Sequence, residues 1–251
     1  MQEQAPLAAS DSSPGPPRVL VQFWDDVRKI PADVRACLDS WKPLDRSGFQ
    51  RLLFDDRSAR QFIAARYSDR HVAAFERCEH PAMRADYFRL CFILENGGLY
   101  ADADDVYQGT SLDPYISDGR LKLQSLCYDL RTDSMVSDPH AAASQQGEHR
   151  IFYVNNNPLI APRRHPIIGR ALERATTLVL RHRPEDRDVQ ALTGPGNLTA
   201  CVVAHCVEPG AEAATRDFML LPDWESVAVS KWSLDYRADQ RNWRIWGSQH
   251  A

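Results

Sequence analysis

Residues Pro81–Asn96 read PAMRADYFRLCFILEN, and no other stretch constrains the fold as strongly. Proline in the first turn and Gly97 just past the last residue are the start and stop of a helix. Met83, Tyr87, Leu90, Cys91 and Leu94 fall on one face, while Phe88, Phe92 and Ile93 carry apolar character around the rest. A helix apolar on most sides has no solvent face and lies inside the protein. Asp86 and Arg89 sit on it, three residues apart and therefore neighbours on its surface. Burying an ion pair contributes little to stability, because desolvation offsets the attraction; the pair points to a site. Gly97-Gly98 then turns the chain sharply into a short strand, Leu99-Tyr100-Ala101, which delivers Asp102-Ala103-Asp104.

The flanking sequence alternates between strand and helix patterns. Residues 18–24 (RVLVQFW) are a β-branched and aromatic run ending in the polar turn Asp25-Asp26, a good first strand. Helices are expected over 31–41, 57–67, 71–77, 167–182 and 195–207, and further strands over 49–54, 121–126, 151–154 and 159–161. This alternation predicts an α/β fold, a Rossmann-like, mostly parallel sheet flanked by helices. A chain of 251 residues suits one such domain. Residues 132–148 are polar and aperiodic and read as a long loop or lid. Residues 1–17, rich in Ala, Ser, Pro and Gly, read as a disordered leader, leaving 18–251 as the domain.

Composition excludes several function classes. The formal net charge of −4 gives no field that favours nucleic acid or an anionic membrane. No apolar run approaches the length of a bilayer span, and the N-terminus lacks the basic start and apolar core of a signal peptide. The six cysteines show no CxxC pair and read as free thiols of a reducing, cytoplasmic compartment. Cys201, His205 and Cys206 resemble a zinc cluster only loosely, since structural zinc sites use tighter pairs. The sequon Asn197-Leu198-Thr199 matters only in a secreted protein.

Asp102 and Asp104 are two residues apart at a strand end. A continuing strand projects both side chains from one face, and open α/β sheets bind ligands beyond the carboxyl ends of their strands. Two carboxylates there suit a hard divalent cation that completes its shell with substrate phosphate oxygens, acting as a Lewis acid on a leaving diphosphate. The run Asp102-Ala-Asp104-Asp105-Val106 also fits the D-x-D-x-V signature of haloacid-dehalogenase-like phosphatases. Those enzymes place it early in the chain after a strong apolar strand, whereas here the strand is short and follows a long helix. A third reading is a sugar-nucleotide binding module without turnover.

The composite of Asp86, Arg89, Gly97, Gly98, Tyr100, Asp102 and Asp104, in this order and spacing, resembles the DXD-motif sugar-transferase family. This is the family of yeast outer-chain mannosyltransferases and bacterial capsule transferases, distantly related to clostridial glucosylating toxins. Gln22-Phe23-Trp24 looks like that family's first strand, whose aromatic residue lies against the nucleotide base. Asn155-Asn156-Asn157-Pro158 and Leu192-Thr193-Gly194-Pro195 resemble its sugar-side loop and a later T-G-P turn. The resemblance implies a GT-A-like fold and retaining transfer from a UDP- or GDP-sugar with Mn²⁺ or Mg²⁺. It implies Asp102 and Asp104 as metal ligands, with Asp86 and Arg89 joining them as catalytic residues. Gln22, Phe23, Trp24, Asp86, Arg89, Tyr100, Asp102, Asn156, Asn157 and Gly194 are implied in donor binding. The acceptor is open: a glycan, a lipid-linked intermediate, a small molecule or a protein. Residues 229–236 do not match the family's C-terminal His or Ser-Trp element, so no third metal ligand is assigned.

Overall fold

All five residues of β1 (Val19–Phe23) are buried, and their alternation shows why. Val19, Val21 and Phe23 join one core cluster, and Leu20 joins a second on the opposite face; a strand covered on both sides reads as a continuous apolar run. The computed structural model describes residues 15–144, 148–181, 188–207 and 216–248. After β1 come α1 (Ala32–Ser40), β2 (Gln50–Phe54), α2 (Asp56–Arg66), α3 (Asp69–Glu76), α4 (Pro81–Asn96), β3 (Gly98–Tyr100) and β4 (Asp105–Tyr107). The second half holds β5 (Leu121–Asp129), β6 (Ser134–Met135), α5 (Pro139–Ala143), β7 (Arg150–Ala161), α6 (Pro166–Arg181), α7 (Val189–Leu192) and α8 (Pro195–Val207). It closes with β8 (Phe218–Leu221), β9 (Ala228–Ser230) and α9 (Trp243–Ser248).

The seven-stranded sheet runs β2-β1-β3-β7-β5-β6, with β8 also paired to β5. β1 is parallel to both β2 and β3, and β5 is parallel to β8. β7 runs antiparallel between β3 and β5. This α/β architecture with flanking helices is the one expected from the sequence. A small second sheet pairs β4 with β9 and carries the C-terminal segment across the acidic turn.

Helix α4 is buried from Met83 to Ile93 save for Arg84 and Ala85. Phe54 and Phe88 meet at 4.7 Å between ring centroids, and Ile167, Ala171 and Ala175 of α6 close the same core. Beyond α4 the two glycines are required. Gly97 has φ +70° and Gly98 φ +109°, and a Cβ on Gly98 would stand 2.7 Å from the Val19 carbonyl oxygen. No L side chain fits that approach.

Several expectations change. The strands expected over 151–154 and 159–161 are one twelve-residue strand, β7, so Asn155, Asn156 and Asn157 lie within a strand and not a loop. Asn155, Asn156, Asn157 and Pro158 take no register partner on β3 or β5. Against β5 the pairing passes from Leu159 with Leu123 to Val154 with Ser125, so these four residues form an irregularity within β7 that keeps their local turn tendency. The loop expected over 132–148 contains β6 and α5; residues 145–147 lie outside the described residues. Gly15 and Pro16, placed in the expected leader, are buried, and a Cβ on Gly15 would clash with the Ile116 carbonyl at 2.2 Å. Residues 1–14 lie outside the described residues, as does His182 of the expected helix over 167–182. Among the described residues no helix is long and apolar enough to cross a membrane.

Candidate active site

Arg89 is the centre of the site. Its Nη2 lies 2.9 Å from Asp86 Oδ1 and 2.9 Å from Asp102 Oδ1, and its Nη1 donates to the Asn156 carbonyl at 2.8 Å. The guanidinium lies over the Tyr100 ring, 4.1 Å from the centroid. Asn156 Nδ2 donates to Asp86 Oδ1 at 2.8 Å, and the Thr193 hydroxyl to Asp86 Oδ2 at 3.4 Å. Burial pushes the Asp86 carboxyl up to about 6, against the pull of Arg89. Helix α4, strand β7 and the turn before α8 therefore meet on one carboxylate. Gly194 makes room for it: a Cβ there would approach Asp86 Oδ2 to 3.3 Å.

β3 ends at Tyr100, and Asp102 to Asp105 form a turn closed by the Asp105 amide on the Asp102 carbonyl at 3.2 Å. The expectation that a continuing strand projects both acids from one face is thus corrected. Asp102 faces Arg89, whereas Asp104 Oδ2 accepts from the Tyr236 hydroxyl at 2.5 Å and pairs with Arg237. Gln22 Nε2 and Asn157 Oδ1 hold the Asp102 backbone at its carbonyl and amide, at 3.3 and 3.1 Å. Desolvation in the cleft pushes the Asp102 carboxyl up, with Arg89 opposing.

Asp105 was not singled out in the sequence. Its carboxylate is buried and accepts from the Ser230 hydroxyl at 2.6 Å and Asn157 Nδ2 at 2.8 Å. Burial, then the charges of Asp102 and Asp104, push it up to about 7. Sequence reasoning also missed Trp232, Tyr236 and Arg237, which line the cleft. The signal was the unmatched C-terminal stretch itself. β9 places Ser230 opposite Asp105, and the Lys231 amide donates to the Asp104 carbonyl at 2.9 Å, so this stretch lies directly over the acidic turn.

These residues open onto a cleft of about 710 Å³ lined by Trp24, Asp86, Arg89, Asp102, Asp104 and both Asn156 and Asn157. Trp24 is half-buried and meets Tyr236 edge-on at 5.3 Å. Phe23 lines the cleft but packs on Phe88 at 5.9 Å. Gln22 and Gly194 stand behind the wall; neither lines the cleft, and each acts on a carboxylate residue that does. The acidic turn suits a hard cation. Its donors are oxygens, and the described hydrogen bonds at Asp102 and Asp104 fall on one carboxylate oxygen each, Oδ1 and Oδ2, leaving the other as an acceptor. No group of three or more His, Cys, Asp or Glu capable of holding a metal occurs among the described residues. A cation held by these two carboxylates would complete its shell with oxygens from water or substrate, as Mg²⁺ commonly does.

The other candidates resolve as structure. His205 Nε2 pairs with Asp217 Oδ2 at 2.9 Å and, with Cys201 and Cys206, forms no metal group. All six cysteines are free. Asn197 of the sequon is fully buried and donates to the Ala171 carbonyl at 3.0 Å.

Residues 31–121 match the family described as a glycosyltransferase sugar-binding region containing the DXD motif. The match spans α4, the Gly-Gly turn and both acids. No curated protein matches the chain. Among solved structures, the PaToxG glycosyltransferase is similar in fold, with a TM-score of 0.52 over 92% of this chain and 85% of that one, at 14% identity.

Proposed function

We propose that this chain, whose residues 31–121 match a glycosyltransferase sugar-binding region containing the DXD motif, is a glycosyltransferase that moves a sugar from a nucleotide-sugar donor in a reaction dependent on a divalent cation. The observation that carries this reading is the Arg89 clamp, which holds Asp86, Asp102 and the Asn156 carbonyl together beside an acidic turn with free oxygen acceptors.

In this reading Asp102 and Asp104 hold Mn²⁺ or Mg²⁺, which when bound supplies Lewis-acid stabilisation of the leaving diphosphate. Arg89 fixes Asp102 and balances the charge of two acids. Asp86 and Asn156 accept from and donate to sugar hydroxyls. Trp24 offers its ring to the uracil or guanine base. Gln22 and Asn157 hold the acidic turn at the angle its ligands need. Most of the acceleration is positioning and preorganised electrostatics. Retention at the anomeric carbon follows from the family resemblance, and the six free thiols support a reducing, cytoplasmic compartment.

The phosphatase reading loses ground. Asp102 follows a three-residue strand, and a guanidinium occupies one of its oxygens, a poor state for a nucleophile. The test is a panel of UDP- and GDP-sugars with Mn²⁺, Mg²⁺ or chelator, comparing the wild type with Asp104→Ala. Cation-dependent release of nucleoside diphosphate, lost in the variant, is expected. Release of phosphate from phosphomonoesters, or undiminished turnover by Asp104→Ala, sinks the proposal.

A further inference from the structure

Arg237 stands where the charge of a cation is needed. Its guanidinium pairs with Asp104 Oδ2, the same oxygen that accepts from Tyr236, and both partners are largely enclosed, at 16% and 11% side-chain exposure. It also lies over the Trp232 ring, 4.4 Å from the centroid. Yet Arg237 Nε is shut off from solvent and has no hydrogen-bond partner among the described residues. A buried donor left unmatched carries a desolvation cost with nothing to offset it. The arrangement thus satisfies Asp104 and leaves Arg237 one acceptor short, inside a cleft built for an anionic donor.

The backbone around Arg237 is pinned. The Asp235 amide donates to Asp33 Oδ2 at 2.8 Å, and Asn242 Nδ2 donates to the Arg237 carbonyl at 2.8 Å. Upstream, Ser230 and Lys231 are tied to Asp105 and Asp104. Only the side chain is placed to move. Resting on the cation-dependent donor binding proposed above, we infer that Arg237 is a ligand-exchange residue. It neutralises Asp104 in the donor-free chain, yields that carboxylate when the divalent cation arrives, and turns its fork onto the donor's diphosphate. The exchange keeps every cation beside an anion throughout. A guanidinium presents planar, paired N–H groups to phosphate oxygens, and Nε gains the acceptor it lacks.

Arg237→Gln separates this role from simple packing, because two affinities change in opposite directions. Calorimetry with Mg²⁺ alone is expected to show about tenfold tighter binding in the variant, the competing guanidinium being gone. With Mg²⁺ present, UDP or GDP is expected to bind about tenfold more weakly. A third readout is optical. In the wild type, Mg²⁺ with nucleoside diphosphate changes the emission of Trp232, identified by subtraction of Trp232→Phe, and in Arg237→Gln that change is absent. Arg237→Lys keeps the charge without the fork, and decides the matter if the glutamine variant does not fold. It should bind Mg²⁺ like the wild type and nucleoside diphosphate more weakly. Unchanged or weaker Mg²⁺ binding by Arg237→Gln, unimpaired nucleoside diphosphate binding by Arg237→Lys, or a Trp232 signal indifferent to ligand overturns the inference. A wild type that binds neither cation nor nucleoside diphosphate overturns the proposed function itself; a wild type that binds both, alongside variants that bind them equally well, overturns only the role of Arg237.

Discussion

Arg89 Nη2 lies 2.9 Å from Asp86 Oδ1 and 2.9 Å from Asp102 Oδ1, so one nitrogen joins the buried helix α4 to the acidic turn. Removing it leaves Asp86 without a counter-charge in the protein interior. Breaking a buried pair by deleting one partner costs about 3–5 kcal/mol. Arg89→Ala is expected to lose that much stability in urea titrations. Arg89→Lys, a point charge without the fork, should lose less but still release the Asn156 carbonyl. A loss below about 1 kcal/mol for Arg89→Ala would show that the cluster does not depend on this cation.

The Asp86 carboxyl, pushed up to about 6 by burial, makes stability depend on pH. Between its ordinary value of 3.8 and about 6 the folded chain holds a proton that the unfolded chain has lost. Stability from this group is therefore complete below about pH 4 and is lost as pH rises through about 6, a fall of about 3 kcal/mol. Asp86→Asn does not titrate. Its unfolding free energy, measured from pH 4 to 7, should fall less than that of the wild type over this window. Parallel curves would show that Asp86 titrates normally.

Asn157 answers two groups at once, accepting from the Asp102 amide at 3.1 Å and donating to Asp105 Oδ2 at 2.8 Å. Asn157→Ala leaves a buried carboxylate oxygen and a backbone N–H short of partners, at about 1–3 kcal/mol. The acidic turn also loses its tether to β7. Expected outcomes are a lower urea midpoint and weaker Mg²⁺ binding by calorimetry. Asn157→Asp should do worse, since it sets a second carboxylate against Asp105.

Much of this site was legible because local signals agreed. Pro81 and Gly97 bracketed α4 to the residue, and its all-round apolar pattern told that Asp86 and Arg89 were buried together. Asn155 to Asn157 were harder. Their polar, proline-flanked sequence says turn, and they sit as an irregularity within β7, carried between the pairs Val154 with Ser125 and Leu159 with Leu123 on either side. Tyr236 and Arg237 could not be placed at all. They reach Asp104 across more than 130 residues of chain, through the short pairing of β4 with β9, and three-residue strands leave no periodicity to read. The same applies to Asp105, whose burial depends on Ser230 arriving from that distant strand.

Trp24 separates stacking from packing. Its ring is half-buried, edge-on to Tyr236 at 5.3 Å, with Val34 and Leu38 of α1 in the neighbouring cluster, and it lines the cleft. Truncation therefore changes both stability and any contact with a base. Trp24→Ala is expected to weaken UDP or GDP binding by about 1 kcal/mol or more, the usual worth of an aromatic contact. Ribose 5-diphosphate has no base to stack, and its affinity should be the same in wild type and variant. Equal losses for the two ligands would mean that the substitution deforms the phosphate site. An unchanged affinity for the nucleotide would return Trp24 to the core as a packing residue only.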